Sequence, residues 1–143
     1  KLKKYKAIRM WNHANDSNNE EKIIYRELSY RFTGVLFKVH KELGRFAREK
    51  QYGDYLEKEL TQANIKYERE KNLPIQGVDN QRTNIVDFSI DDKVLVDLKA
   101  KPFISKDDYY QMQRYLKSSG YKLGLLVNFR SRYLKPLRVI NYS

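Results

Sequence analysis

The chain has 143 residues, enough for one domain with its own core, and its 29 Lys and Arg residues outnumber 18 Asp and Glu residues. The absence of cysteine excludes disulfides, zinc thiolate sites and thiol nucleophiles, and no apolar run approaches the roughly 20 residues of a membrane helix. The formal net charge of +11 favours a polyanionic partner without identifying a reaction. We therefore expect a soluble, cytoplasmic protein without membrane association.

Residues 1–21 are predicted to be a basic and polar appendage to a domain that covers residues 22–143. Five basic residues precede Trp11, and a run of Asn, Asp and Ser follows without a sustained apolar period. The segment is either an arm that binds phosphates or a loosely ordered terminus.

Two amphipathic helices are predicted at the start of the domain. Apolar residues recur at three- and four-residue steps between residues 23 and 43, as on one face of a helix that Gly44 can end. A second helical pattern covers residues 47–63. Helical patterns then stop, which predicts a change to β-structure.

Three strands are predicted after the helices. Residues 67–75 carry β-compatible side chains and end near Pro74 and Gly77, which predicts an edge strand followed by a turn. Residues 84–90 and 94–99 are rich in β-branched side chains and are separated by a short polar segment. These two segments are predicted to form a hairpin.

A helix and two strands are predicted to complete the domain. The helix covers residues 106–119 and stops before Gly120, a buried strand follows at residues 122–128, and a short strand lies at residues 138–141. The order ααβββαββ predicts an α/β fold with a mixed sheet packed against helices. Neither GxGxxG nor GxxxxGKS occurs, so nucleotide-binding folds of those two kinds are not expected.

The hairpin carries the side chains to which we assign chemistry. Side chains alternate along a strand, so Asp97 and Lys99 share one face of the second strand. On the first strand, Val86 and Phe88 are predicted to share an apolar face, which leaves Asp87 as an isolated carboxylate on the other. A carboxylate within such an apolar segment requires an explanation.

The length of the hairpin loop decides whether the two carboxylates meet. With a three-residue loop over residues 91–93, Asp87 lies opposite Asp97; with a two-residue loop it would face Val96 unless a bulge corrected the parity. We predict the three-residue loop. Opposed Cβ atoms are about 4.5 to 5.5 Å apart, close enough for two carboxylates to bind one hard cation.

This arrangement indicates metal-assisted phosphodiester chemistry. Mg²⁺ or Mn²⁺ held by Asp87, Asp97 and the backbone carbonyl of Leu98 would polarise a phosphate oxygen and lower the pKa of a bound water. Lys99 would orient the attacking water or stabilise the negative charge that develops on the phosphate. The competing interpretation is a surface hairpin with an Asp–Lys ion pair, which contributes little to stability.

The same residues resemble the two metal motifs of the PD-(D/E)XK nuclease superfamily. More specifically, residues 22–141 resemble the small bacterial and archaeal family of GxxExxY proteins. The features that carry this resemblance are the helix from Glu27 to Gly44, Glu49 followed by Tyr52, Asp87 with Asp97-Leu98-Lys99, and Gln111 to Lys117 followed by Gly124-Leu125-Leu126-Val127-Asn128-Phe129.

The resemblance implies a restriction-endonuclease-like fold and roles for residues outside the hairpin. It implies that Glu49 supports the metal, although a carboxylate in the first turn of a helix is also favoured by the helix dipole. Tyr52, one turn later, would either contact a phosphate or pack in the core. Gln111 would hydrogen-bond the metal-bound water or the hairpin lysine, while Arg114 and Lys117 would contact a nucleic-acid backbone or form a solvated helix face.

Two departures from the family pattern leave the function open. Phe46 stands where the family name expects its first glycine, and Asp97 replaces the more usual glutamate. We expect a Mg²⁺- or Mn²⁺-dependent nuclease, acting on DNA in preference to RNA. The alternatives are a nucleic-acid- or partner-binding module that keeps the scaffold without turnover, and a structural subunit whose charge serves only solubility. Because one compact domain spans little of a substrate, we also expect a homodimer.

Overall fold

The computed structural model describes residues 24–74 and 84–142. The predicted appendage at residues 1–21 and the predicted turn near Gly77 lie outside these described residues. Within them, the elements follow the predicted order ααβββαββ, with ends that differ from the predicted ones by a few residues. The bounds are α1 Arg26–Leu43, α2 Glu49–Gln62, β1 Tyr67–Leu73, β2 Asn84–Ile90, β3 Val94–Lys99, α3 Lys106–Ser119, β4 Leu123–Asn128 and β5 Leu137–Ile140.

The helix ends follow local sequence signals. Gly44 ends α1 with φ 74°, and Gly120 ends α3 with φ 79°, a left-handed conformation that glycine adopts without steric cost. Ser105 begins α3 with a capping box, because its hydroxyl accepts from the Asp108 N–H and the Asp108 carboxylate accepts from the Ser105 N–H. None of the helices in the described ranges has the length and hydropathy needed to span a membrane.

The sheet has five strands in the order β1-β2-β3-β4-β5. Only β3 and β4 run parallel, and α3 connects them, as a parallel connection requires a crossover. The β2–β3 turn covers residues 91–93, so that Ile90 pairs with Val94, which confirms the predicted three-residue loop. This mixed sheet flanked by helices confirms the predicted fold class and is consistent with a restriction-endonuclease-like fold.

Two hydrophobic layers hold the helices against the sheet. On one face, the layer between the sheet and helices α1 and α2 includes Phe32, Leu36, Leu56, Val96 and Val127. On the other face, a smaller layer between the sheet and α3 includes Leu95, Met112, Leu116, Leu126 and Val139. Strand β3 therefore lies between two apolar layers, and five of its six residues are buried.

Candidate metal and catalytic site

The central strands β2 and β3 separate at the predicted carboxylates. Their pairing covers only three residue pairs and ends at Phe88 and Val96. Beyond that pair, β2 remains beside β1, and β3 remains beside β4. We call this opening in the sheet the β2–β3 fork.

The side chains of Asp87 and Asp97 bridge the fork. The backbone N–H of Asp87 donates to Oδ1 of Asp97 at 3.1 Å, and the backbone N–H of Leu98 donates to Oδ2 of Asp87 at 2.7 Å. Each carboxylate thus accepts a hydrogen bond from the opposite strand where the backbone ladder has ended. The structure brings the two predicted carboxylates together, within the sheet rather than on opposite sides of it.

The expected alternation of side chains along β2 is wrong at Asp87. Strict alternation predicts Val86, Phe88 and Ile90 on one face. In the structure, Val86 packs in the layer against α3, whereas Phe88 and Ile90 pack in the layer against α1 and α2. The strand therefore changes face at Asp87, and this change turns the Asp87 side chain toward the fork.

The physical reason lies in the neighbouring strand. Glu70 falls opposite Asp87 in the register of β1 and β2, and its φ of 52° is left-handed. Strand β1 changes face at the same place, because Tyr67 packs against the α1 and α2 layer and Leu73 packs in the α3 layer. A left-handed residue that is not glycine is uncommon, and here it interrupts the pleat of both strands.

The electrostatics of the fork are those of two buried like charges. Asp97 is only 5% exposed, and burial, followed by the charge of Asp87, raises its pKa to about 6. Burial also raises the pKa of Asp87. The ammonium of Lys99 acts on both carboxylates in the opposite direction. When both carboxylates ionise, the fork therefore carries two close negative charges that a cation would stabilise.

A groove of about 460 Å³ opens beside Asp87 on the side of α2. Three further carboxylates line it: Glu49 from the exposed first turn of α2, Asp54 from later in the same helix, and Glu70 from β1. After burial and Asp87, the charge of Glu49 also raises the pKa of Asp97. Glu70 was not predicted to belong to the site, because no local signal distinguishes it within strand β1.

The ammonium of Lys99 is held by a residue that the sequence did not single out. It lies 3.9 Å from a carboxylate oxygen of Asp108, and the two side chains are 19% and 12% exposed. Asp108 also pairs with Lys101 and caps α3. Gln111, expected to contact the metal-bound water or Lys99, is half-buried one turn later and makes no hydrogen bond to Lys99 within the described ranges. The Ser-x-x-Asp capping pattern at residues 105–108 was the sequence signal that could have placed Asp108 at the start of α3, close to Lys99.

The structure places Tyr52 in the core, the second of the two positions considered for it. Its ring is fully buried and stacks on Phe129, with centroids 4.1 Å apart. Its hydroxyl donates to the carbonyl of Gly44 and accepts from the N–H of Ala47 at 3.2 Å. Tyr52 therefore fixes the turn between α1 and α2, which leads to Glu49.

Helix α3 presents two kinds of side chain near the fork. Arg114 and Lys117 are exposed and form no ion pair within the part of the chain that the structure describes. Tyr115 is only 7% exposed; burial raises the pKa of its hydroxyl, and the charges of Asp97 and Asp87 raise it further. Tyr115 was missed because its helical spacing is that of a core residue.

The fork supplies a partial ligand set for a divalent cation. Within residues 24–74 and 84–142, no three His, Cys, Asp or Glu side chains converge closely enough to bind a metal. The available oxygens are those of Asp87 and Asp97, the nearby backbone of Leu98, and the groove carboxylates of Glu49 and Glu70. Mg²⁺ commonly binds through one or two carboxylates and keeps several waters, so this set fits such an ion.

Comparison with known proteins gives one match. A family model described as the PD-(D/E)XK nuclease superfamily matches residues 26–139, a range that runs from the start of α1 into β5 and includes the fork. No curated protein and no solved structure is significantly similar to the chain. The narrower resemblance to GxxExxY proteins therefore rests on its motifs alone.

Proposed function

We propose that this chain, which belongs to the PD-(D/E)XK nuclease superfamily, is a Mg²⁺- or Mn²⁺-dependent nuclease that hydrolyses phosphodiester bonds. The observation that carries the proposal is the β2–β3 fork. Two carboxylates meet there, and each accepts a hydrogen bond from an N–H group of the other strand. One of them, Asp97, lies two residues before the ammonium of Lys99 on β3. The basic chain, with a net charge of +11, would attract the polyanionic substrate.

The fork fits a divalent cation because Lys99 and two backbone N–H groups compensate its negative charge only in part. The pKa of both carboxylates is raised, because burial and, at Asp97, repulsion by the second carboxylate disfavour the ionised forms. Asp87, Asp97 and the backbone carbonyl of Leu98 would hold the ion, with Glu49 in support from α2. A bound Mg²⁺ supplies charge neutralisation for the phosphate and acidifies a water molecule.

Lys99 would stabilise negative charge that develops on the phosphate in the transition state. Its contact with Asp108 holds the chain at the mouth of the fork, while the 3.9 Å separation is longer than a hydrogen bond. An ammonium that is already positioned can stabilise an anionic group without a rearrangement of the Lys99 side chain. Asp108 is thus proposed as a residue that positions Lys99.

The side chains of α3 would contact the substrate beyond the reacting phosphate. We propose that Gln111 hydrogen-bonds water near the metal and that Arg114 and Lys117 bind backbone phosphates. The exposure of both basic side chains supports this assignment. We also propose DNA as the preferred substrate over RNA, and a homodimer as the active form, because a second copy would lengthen the bound segment.

Cleavage assays test the proposal. Supercoiled plasmid, single-stranded DNA, branched DNA and RNA are incubated with Mg²⁺, Mn²⁺ or chelator. Wild type should cut at least one substrate only with metal, and Lys99→Ala should lose about 100-fold or more of the rate while retaining binding. Lys93→Ala is a matched control, because Lys93 pairs with Asp91 at the other end of β3, about 20 Å away.

A binding module without turnover is the second candidate. The absence of three converging ligand side chains in the described ranges and the Lys99–Asp108 contact favour it. It predicts salt-sensitive binding to nucleic acid with no cutting at any metal concentration, and equal behaviour of wild type and Lys99→Ala. Metal-dependent cutting that Lys99→Ala abolishes would eliminate this candidate.

A further inference from the structure

An exposed surface of aromatic and arginine side chains lies beside the fork. Phe46, in the turn between α1 and α2, is 75% exposed, and Tyr133, in the loop after β4, is 72% exposed. Guanidinium groups flank both rings. We call this surface the aromatic–arginine patch; it consists of the exposed Arg45, Phe46, Arg132 and Tyr133 and the half-buried Arg130.

Two guanidinium groups lie near the exposed Phe46 ring. The guanidinium carbons of Arg45 and Arg130 lie 5.1 and 5.5 Å from its ring centroid. Nε of Arg45 also donates to the backbone carbonyl of Arg130 at 2.9 Å, which ties the two loops together. These contacts hold an apolar ring in solvent instead of folding it against the protein, although burial of such a ring is favourable.

The patch is anchored within two residues of the proposed catalytic lysine. The N–H of Phe129 donates to the carbonyl of Lys99 at 2.9 Å, so the loop after β4 starts beside Lys99. Nη2 of Arg130 donates to the carbonyl of Ala100 at 3.1 Å. On the other side, Phe46 precedes Glu49 by three residues. The patch is therefore connected to two residues of the proposed site, Lys99 on β3 and Glu49 on α2.

The charge of the patch indicates an anionic partner. Arg45, Arg130 and Arg132 form no ion pair with a carboxylate among the residues that the structure describes, whereas Arg69 pairs with two. The guanidinium of Arg132 lies 5.6 Å from the ring centroid of Tyr133, which repeats the arrangement at Phe46. Exposed rings beside cationic groups are the features on which unpaired bases stack while arginines contact the phosphates.

We infer that the aromatic–arginine patch binds unpaired nucleotides adjacent to the phosphodiester that enters the fork, an inference that rests on the proposed nuclease function. The bases of a duplex stack on one another and cannot also stack on protein rings. The substrate is therefore a nucleic acid with a single-stranded segment next to the cleavage position. Phe46, which stands where the family resemblance expects glycine, supplies one of the rings on which the unpaired bases stack.

Fluorescence anisotropy without metal tests the inference separately from cleavage. Labelled single-stranded DNA, single-stranded RNA and blunt duplex DNA of equal length are titrated with wild type, Phe46→Ala, Phe46→Trp and Tyr133→Ala. Wild type should bind at least one single strand about 10-fold tighter than the duplex. Each alanine variant should weaken that binding by about 5- to 100-fold with little effect on the duplex, and Phe46→Trp should restore it.

Tyr30→Ala is the matched control, because Tyr30 is 81% exposed on α1 but lies about 20 Å along the helix from the patch. It should bind as wild type does. Equal wild-type affinity for single strand and duplex, or an unchanged affinity in Phe46→Ala, would overturn the inference. If metal-dependent cutting occurs under either of those results, the nuclease proposal stands without the patch. Patch-dependent binding without cutting would support the patch and contradict the nuclease proposal.

Discussion

Replacing Asp97 by Asn should stabilise the metal-free protein at neutral pH, although it removes a buried carboxylate. Burial and the charge of Asp87 raise the pKa of Asp97 to about 6, from an ordinary value of 3.8. Asparagine keeps an Oδ1 acceptor for the Asp87 N–H, now 3.1 Å from the Asp97 carboxylate. Its amide N–H can also donate to Asp87, so the substitution removes the cost of burying the charge and the repulsion from Asp87 while it keeps the hydrogen bond.

The sign and size of the effect follow from proton binding. Because the pKa of Asp97 is raised by folding, the folded state binds more protons than the unfolded state between pH 3.8 and about 6. The free energy of unfolding therefore falls as pH rises through this window. The difference corresponds to about 3 kcal/mol by pH 7, of which Asp97→Asn should recover about 2 to 3 kcal/mol. Below pH 4 the substitution should have little effect.

Urea unfolding followed by circular dichroism at pH 4 and pH 8, with chelator, measures this difference. Asp108→Asn is a control of opposite sign. Burial alone would raise the pKa of Asp108, but hydrogen bonds from Lys101 and Ser105 outweigh it and lower the pKa. Asp108→Asn should therefore destabilise the protein at pH 8. If Asp97→Asn were less stable than wild type at pH 8, and by as much as at pH 4, this result would refute the argument from burial and repulsion.

The fork, Glu70 and Tyr52 each carry a further expectation. Mn²⁺ at 100 times its Kd should raise the free energy of unfolding of wild type by about 2.7 kcal/mol and that of Asp87→Asn far less; equal gains in thermal melts would place the ion elsewhere. Glu70→Gly should be about 1 kcal/mol more stable than Glu70→Ala in urea, because glycine tolerates a φ of 52°; the reverse order contradicts that backbone. Tyr52→Phe should lower the free energy of unfolding by about 1 kcal/mol, because it removes the two hydrogen bonds of the hydroxyl. If the same variant also bound oligonucleotides more weakly in anisotropy, Tyr52 would contribute to binding and not only to the core.

The elements that local sequence specifies were predictable. Alternating β-branched residues and a polar three-residue turn determine the β2–β3 hairpin, and its register brings Asp87 beside Asp97. Gly44 and Gly120 ended helices because glycine accepts left-handed backbone conformations. These features depend on residues that are close in the sequence, so the pattern was sufficient.

The features that depend on distant contacts were not predictable. The change of face at Asp87 is linked to the left-handed backbone of Glu70, seventeen positions earlier, and glutamate gives no signal for that conformation. The burial of Tyr52 depends on Phe129 at the end of β4. Periodicity assigns a tyrosine to a helix face but does not specify which strand covers that face.

The fork also makes two amide protons sensitive to events at the site. The N–H groups of Asp87 and Leu98 donate to carboxylates rather than to the carbonyl groups that pair the rest of the sheet. A carboxylate that directs its lone pairs to a metal ion becomes a weaker acceptor for these protons. Their deuterium exchange and NMR chemical shifts would therefore report arrival of the ion at individual residues, in a protein that has neither substrate nor turnover.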